Sequence, residues 1–167
     1  MRRFWLLLPF LLFLCGRASA QLNQLTLVIA FDSDPAGISL AGSGTSSATL
    51  AFGSVQAFGG TLPSGVTETV GASSWTLSTS IDVNVQKGML DVLDALSTSY
   101  TLTAQLQSAD SQNTWKWNST VLSPSSTTIT SSGVYGSTPS YGFSLTIPFS
   151  APAGSVSNSI NFTAVAN

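Results

Sequence analysis

The chain has 167 residues, with five Lys and Arg, seven Asp and Glu, no His and one Cys. Charged residues make up 7%, against about 25% in an ordinary soluble domain, and all three arginines (Arg2, Arg3, Arg17) fall within the first 20 positions. Nucleic-acid binding and a basic membrane-surface patch are thereby excluded, because both need clustered cations to meet phosphates.

The N-terminus predicts a secretory signal peptide over residues 1–20. Arg2 and Arg3 give a basic start, residues 4–14 an apolar run, and Ala18-Ser19-Ala20 a small-residue cleavage site. The apolar run is shorter than the roughly 20 residues that span a bilayer, so no membrane span is expected after its removal. Leu14 before Cys15 is not the small residue that a lipoprotein signal requires. Residues 21–167 then form one domain. It has no cysteine, and its two lysines (Lys87, Lys116) against seven acids leave a charge of −5. Such a domain is held by burial alone. The expected location is secreted: extracellular, periplasmic or at a cell surface.

Residues 21–31 open this domain with strand periodicity, Leu25, Leu27, Ile29 and Phe31 lying on one face. Asp32-Ser33-Asp34-Pro35-Ala36-Gly37 reads as a turn. Its two carboxylates are also hard oxygen ligands of the kind calcium takes, so Asp32 and Asp34 are weak metal candidates. Asp91 and Asp94 form a weaker pair of the same kind. Residues 38–47 are a Gly/Ser-rich loop or weak edge strand. Residues 48–55 and 66–70 read as short strands, and 75–85 as the longest alternating run, with Trp75, Leu77, Ile81, Val83 and Val85 inward. Residues 87–97 alone carry a helical rhythm. Tyr100, Leu102, Ala104 and Leu106 mark a further strand, and residues 110–113 a turn.

Residues 114–121 place Trp115 and Trp117 on one strand face, roughly 7 Å apart. Exposed, the two indoles would stack on sugar rings, with Asn113 or Asn118 hydrogen bonding; buried, they are core. Asn118-Ser119-Thr120 and Asn161-Phe162-Thr163 match the glycosylation acceptor pattern. Residues 127–130 pair briefly. Tyr141, Phe143, Leu145 and Ile147, then Ile160 and Phe162, alternate on either side of a loop with Pro148, Pro152 and Gly154, and read as a closing antiparallel hairpin. Seven to nine short strands with turns every ten or so residues predict an all-β antiparallel sandwich.

Catalysis is narrowed by the residue types. Without His, and with Cys15 in the segment to be removed, Ser-His-Asp and Cys-His triads and ordinary zinc sites cannot be built. The chain reads as non-enzymatic and needing no cofactor. The scarcity of charge also leaves sheet edges without the usual charged guards, so an uncharged edge is a liability or an assembly site.

Residues 50–55 (LAFGSV) and 146–167 (TIPFSAPAGSVSNSINFTAVAN) resemble small secreted bacterial pilin-like proteins, including the spore-coat-U and fimbrial-subunit group. That resemblance implies an immunoglobulin-like sandwich and a pilus-like or cell-surface assembly subunit with a structural or adhesive role. In such families one subunit's sandwich is completed by an extended segment of the next, by β-strand addition. Partners would be copies of the chain or related subunits, and an export chaperone. The donor would be Leu25, Leu27, Ile29 and Phe31, which equally suit the first strand of the chain's own sandwich. Many fimbrial subunits carry a disulfide, which this domain lacks. A carbohydrate-binding module using Trp115 and Trp117 is the alternative reading.

Overall fold

Alternating apolar residues and frequent turn signals give strands, and the strands form two sheets packed face to face. The computed structural model describes residues 25–29, 37–40, 47–50, 52, 55–58, 61–87 and 96–167. The expected signal peptide lies outside them, as do residues 88–95 of the segment with helical rhythm. The described strands are β1 (Leu25–Ile29), β2 (Gly37–Leu40), β3 (Ser47–Leu50), β4 (Thr67–Val70), β5 (Ser74–Gln86), β6 (Tyr100–Leu106), β7 (Thr114–Trp117), β8 (Thr120–Val121), β9 (Thr127–Gly133), β10 (Ser140–Pro148) and β11 (Ser159–Ala166). One sheet has the order β3-β1-β11-β6-β9, the other β2-β5-β10-β7-β8, with β4 also on β5. All pairings are antiparallel except that of β1 with β11, which is parallel.

The chain changes sheet at most of its connections. Among the described strands, only β4–β5 and β7–β8 are hairpins of consecutive strands. The expected closing hairpin is accordingly not one. β10 pairs with β5 and β7, whereas β11 lies in the opposite sheet between β1 and β6. The reason is length. Residues 149–158 separate the two strands, well beyond the two to five residues of a typical hairpin loop and ample to cross the roughly 10 Å between packed sheets. The expected single strand over 114–121 is also divided. Asn118 takes φ 53°, a left-handed conformation that Asn tolerates better than other non-glycine residues. The chain reverses there, so that Trp117 pairs with Thr120 and Lys116 with Val121.

Period-two burial builds the core. Along β6, Tyr100, Leu102, Ala104 and Leu106 are buried while Thr101, Thr103 and Gln105 are half-buried on the outer side. Tyr141, Phe143, Leu145 and Ile147 do the same on β10, and Trp75, Leu77, Ile81, Val83 and Val85 on β5. Ile160, Phe162 and Ala164 of β11 meet them from the facing sheet. Each large side chain buried this way contributes about 1.5–3 kcal/mol, which is how a domain without disulfides is held.

The edges are managed without surface charge. β2, β3, β4 and β8 are two to four residues long. Glu68 sits in register with Leu77, on the core side of β4, an inward charge that deters edge pairing. The seven-residue β9 carries register shifts against β6 between Tyr100 and Leu102 and between Leu102 and Thr103, and such bulges bend an edge away from a flat template.

One of these shifts adjoins a close contact. A Cβ built on Gly133 would lie 2.2 Å from Cζ of Tyr100, whose ring is fully buried and packs on Tyr135 with centroids 5.2 Å apart. Burial, with smaller contributions from Tyr141 and Tyr135, pushes the Tyr100 hydroxyl up to about 12. Gly133→Ala is therefore expected to destabilise the domain by about 1–3 kcal/mol through overpacking. Urea unfolding of the two chains checks this.

Candidate functional site

The sequence singled out three places: the first strand, the tryptophan pair and the acidic turn. Of the first-strand residues, Leu25, Leu27 and Ile29 lie in β1. Phe31 lies outside the described residues, as do the calcium candidates Asp32 and Asp34 and the pair Asp91 and Asp94. β1 occupies the position between β11 and β3. Thr26, Leu27, Val28 and Ile29 stand opposite Ser159, Ile160, Asn161 and Phe162 of β11, and Leu25 to Val28 opposite Leu50 to Ser47 of β3. Alternation puts Ile160 and Phe162, both fully buried, on the core side of the strand that receives β1. The closing strand is thus completed on one flank by β6 and on the other by β1. The sequence sees both strands but gives no sign that they pair in parallel, since the two are separated by most of the chain.

The tryptophans resolve to core. Trp115 is 1% exposed and Trp117 0%, so neither offers a face for a sugar ring; of the two readings the buried one is found, and the alternative of a stacking platform is corrected. The physical cause is their position on β7, a strand paired with the central β10, whose inner face looks onto the opposite sheet. Trp117 meets Phe162 of that sheet edge-on with centroids 4.7 Å apart, and touches Tyr141 and Phe143 beside it. Trp115 packs on Phe143 at 6.1 Å.

Trp115 is also held by a carboxylate that the sequence marked only as a turn residue. Asp110 Oδ2 accepts hydrogen bonds from Trp115 Nε1 at 2.7 Å and Asn113 Nδ2 at 2.9 Å. Its Oδ1 accepts from the backbone N–H groups of Gln112 and Asn113. Burial alone would raise this carboxyl. The bonds donated by the Asn113 and Trp115 side chains and by the Asn113 and Gln112 backbone outweigh it and hold Asp110 below its ordinary value. Aspartate starting a turn three residues before a polar amide was the signal; the indole at i+5 was not readable without the fold.

The outer face of the second sheet carries a feature the sequence did not indicate. Gly142 on β10 is exposed among neighbours that bear side chains, and it pairs with Ser80 of β5. A groove of about 480 Å³ passes over it, lined by Gly65, Thr67, Ser78, Ser80, Asn118 and Ser144 together with Thr79 and Phe143. Asn118 fixes one end, its Oδ1 accepting the Gly142 N–H at 2.8 Å. Among the described residues, no three or more His, Cys, Asp or Glu side chains gather to hold a metal ion, and no helix is long and apolar enough to cross a membrane. No protein-family model matches the chain, and no curated protein matches it.

Proposed function

We propose that the chain is a non-enzymatic, secreted structural or adhesive protein: a pilin-like, cell-surface assembly subunit that joins copies of itself by exchanging its first strand. The observation that supports this most is the parallel seating of β1 against β11. A parallel neighbour cannot arrive through a tight hairpin. It reaches its position from a distant part of a chain, and the same backbone bonds and the same contacts form when that chain is another copy. An immunoglobulin-like arrangement and an export chaperone belong to this reading. The non-enzymatic part rests on residue types and on the separation of the three acids among the described residues. Glu68 faces the core side of β4, Asp82 is exposed on β5, and Asp110 is engaged by four donors.

A register-matched disulfide tests the exchange. Thr26 and Ser159 stand opposite each other, and the domain from residue 21 onward contains no cysteine. A Thr26→Cys, Ser159→Cys chain, oxidised and run on a non-reducing gel, is expected to give a ladder of covalent oligomers that grows with protein concentration. A band of monomer size alone, at every concentration, would mean that the strand is intrinsic and would overturn the proposal.

A further inference from the structure

We propose that the groove over Gly142 is a binding site for a neutral oligosaccharide. The inference is independent of strand exchange, because the groove lies on the outer face of the second sheet and β1 belongs to the first.

The argument begins with what lines it. Five residues supply hydroxyls or a carboxamide on the outer face: Thr67, Ser78, Ser80, Ser144 and Asn118. The two glycines supply depth. No charged residue lines the groove, and Phe143, its one apolar member, is 1% exposed. An ionic ligand would find nothing to neutralise it and an apolar one nothing to cover it. Hydroxyls that both donate and accept match a ligand carrying the same groups. The volume lies within the range of small-molecule sites, and the lining residues run from β4 across β5 and β10 to the Asn118 turn.

The second observation is which of these groups are spent. One rung along the same face, Thr76 and Thr146 satisfy each other across the strands at 2.8 Å. Thr67 and Thr79 donate to backbone carbonyls of Ser78 and Gly65. Ser78 and Ser144 also stand in register, yet their hydroxyls, that of Ser80 and the Asn118 Nδ2 make no hydrogen bond to other described residues. Four polar groups that bond no other described residue therefore line a dip left by one missing side chain. Asn118 is pre-positioned, since its Oδ1 is anchored on the Gly142 N–H and its Nδ2 remains as a donor. With no exposed aromatic in the lining, the expected Kd is about 1 mM.

Amide chemical shifts of the 15N-labelled chain, from residue 21 onward, provide the test, with maltohexaose, cellohexaose and mannohexaose at about 10 mM as probes, a concentration above that Kd. Shifts concentrated at Ser78, Ser80, Asn118, Gly142 and Ser144 are expected with at least one of them. Gly142→Val fills the dip. A Cβ there would meet only Asn118 Oδ1, at 3.7 Å, and valine suits a strand, so the fold is kept and affinity should fall at least tenfold. Should that chain fail to fold, Ser78→Ala with Ser144→Ala removes two of the free hydroxyls and is expected to weaken binding about as much. No shifts with any probe, shifts centred elsewhere, undiminished binding by a folded variant, or equal binding of a heparin hexasaccharide would each overturn the assignment.

Discussion

Trp117→Ala is expected to cost about 3–5 kcal/mol of unfolding free energy, read as a fall in the urea midpoint with little change in slope. The side chain is wholly buried and bridges the sheets, with Phe162 on one side and Tyr141 and Phe143 on the other. Its removal leaves a cavity between two hydrogen-bonded layers that cannot simply collapse, because the backbone ladders set their spacing. Trp117→Phe should be far milder. Trp117 Nε1 has no hydrogen-bond partner although it is buried, so phenylalanine gives up volume but no bond. Trp115→Phe should cost more than Trp117→Phe, since Trp115 Nε1 donates to Asp110. The ordering of the two phenylalanine variants separates packing from hydrogen bonding; the reverse order would contradict the assignment of the bond.

Asp110→Ala is expected to cost about 2–4 kcal/mol, because it strips the partner from buried donors that met a charged acceptor. Asp110→Asn should recover little of that. Its amide N–H group would face Trp115 Nε1 or the Asn113 donors, which need an acceptor. The pH dependence follows from the lowered carboxyl. The unfolded chain takes up a proton at the ordinary aspartate value, about 3.9, before the folded chain does. The stabilisation is thus present above that value and is lost as pH falls through the lower folded one. The stability gap between the native chain and Asp110→Ala, followed by urea unfolding from pH 6 to pH 2, should stay level at first and shrink below about pH 4. A gap that widened on acidification would contradict the carboxylate's role.

How much of this was readable beforehand follows the range of each interaction. The strand of residues 100–106 was legible to the residue, because its alternation is local and uninterrupted. The strand Ser74–Gln86 was read one residue short at each end, its alternation pausing at Thr79 between Leu77 and Ile81. The break at Asn118 was not, since alternation continues through Trp115 and Trp117 and only a positive φ reverses the chain. At the candidate sites, alternation places the aromatic pair on one strand face but does not say which way that face looks. A half-buried strand presents the same pattern whether its apolar side meets solvent or a second sheet, and only the position of β7 next to β10 settles it. The groove was invisible for a related reason: Ser78, Asn118, Gly142 and Ser144 come from three separate segments.

Residue types and local pattern were enough for an all-β chain with scarce charge, an interior assembled from alternating apolar positions, and no histidine for catalytic or zinc sites to use. Those properties depend on residue type and on neighbours two positions apart. Pairing was decided by tertiary structure. The two strands read as a closing hairpin were parted by a ten-residue connection into facing sheets, and β11 received β1 as a parallel neighbour. Backbone hydrogen bonds carry no residue code, so which strands meet is fixed by how the buried faces pack and by the length of the connections between them.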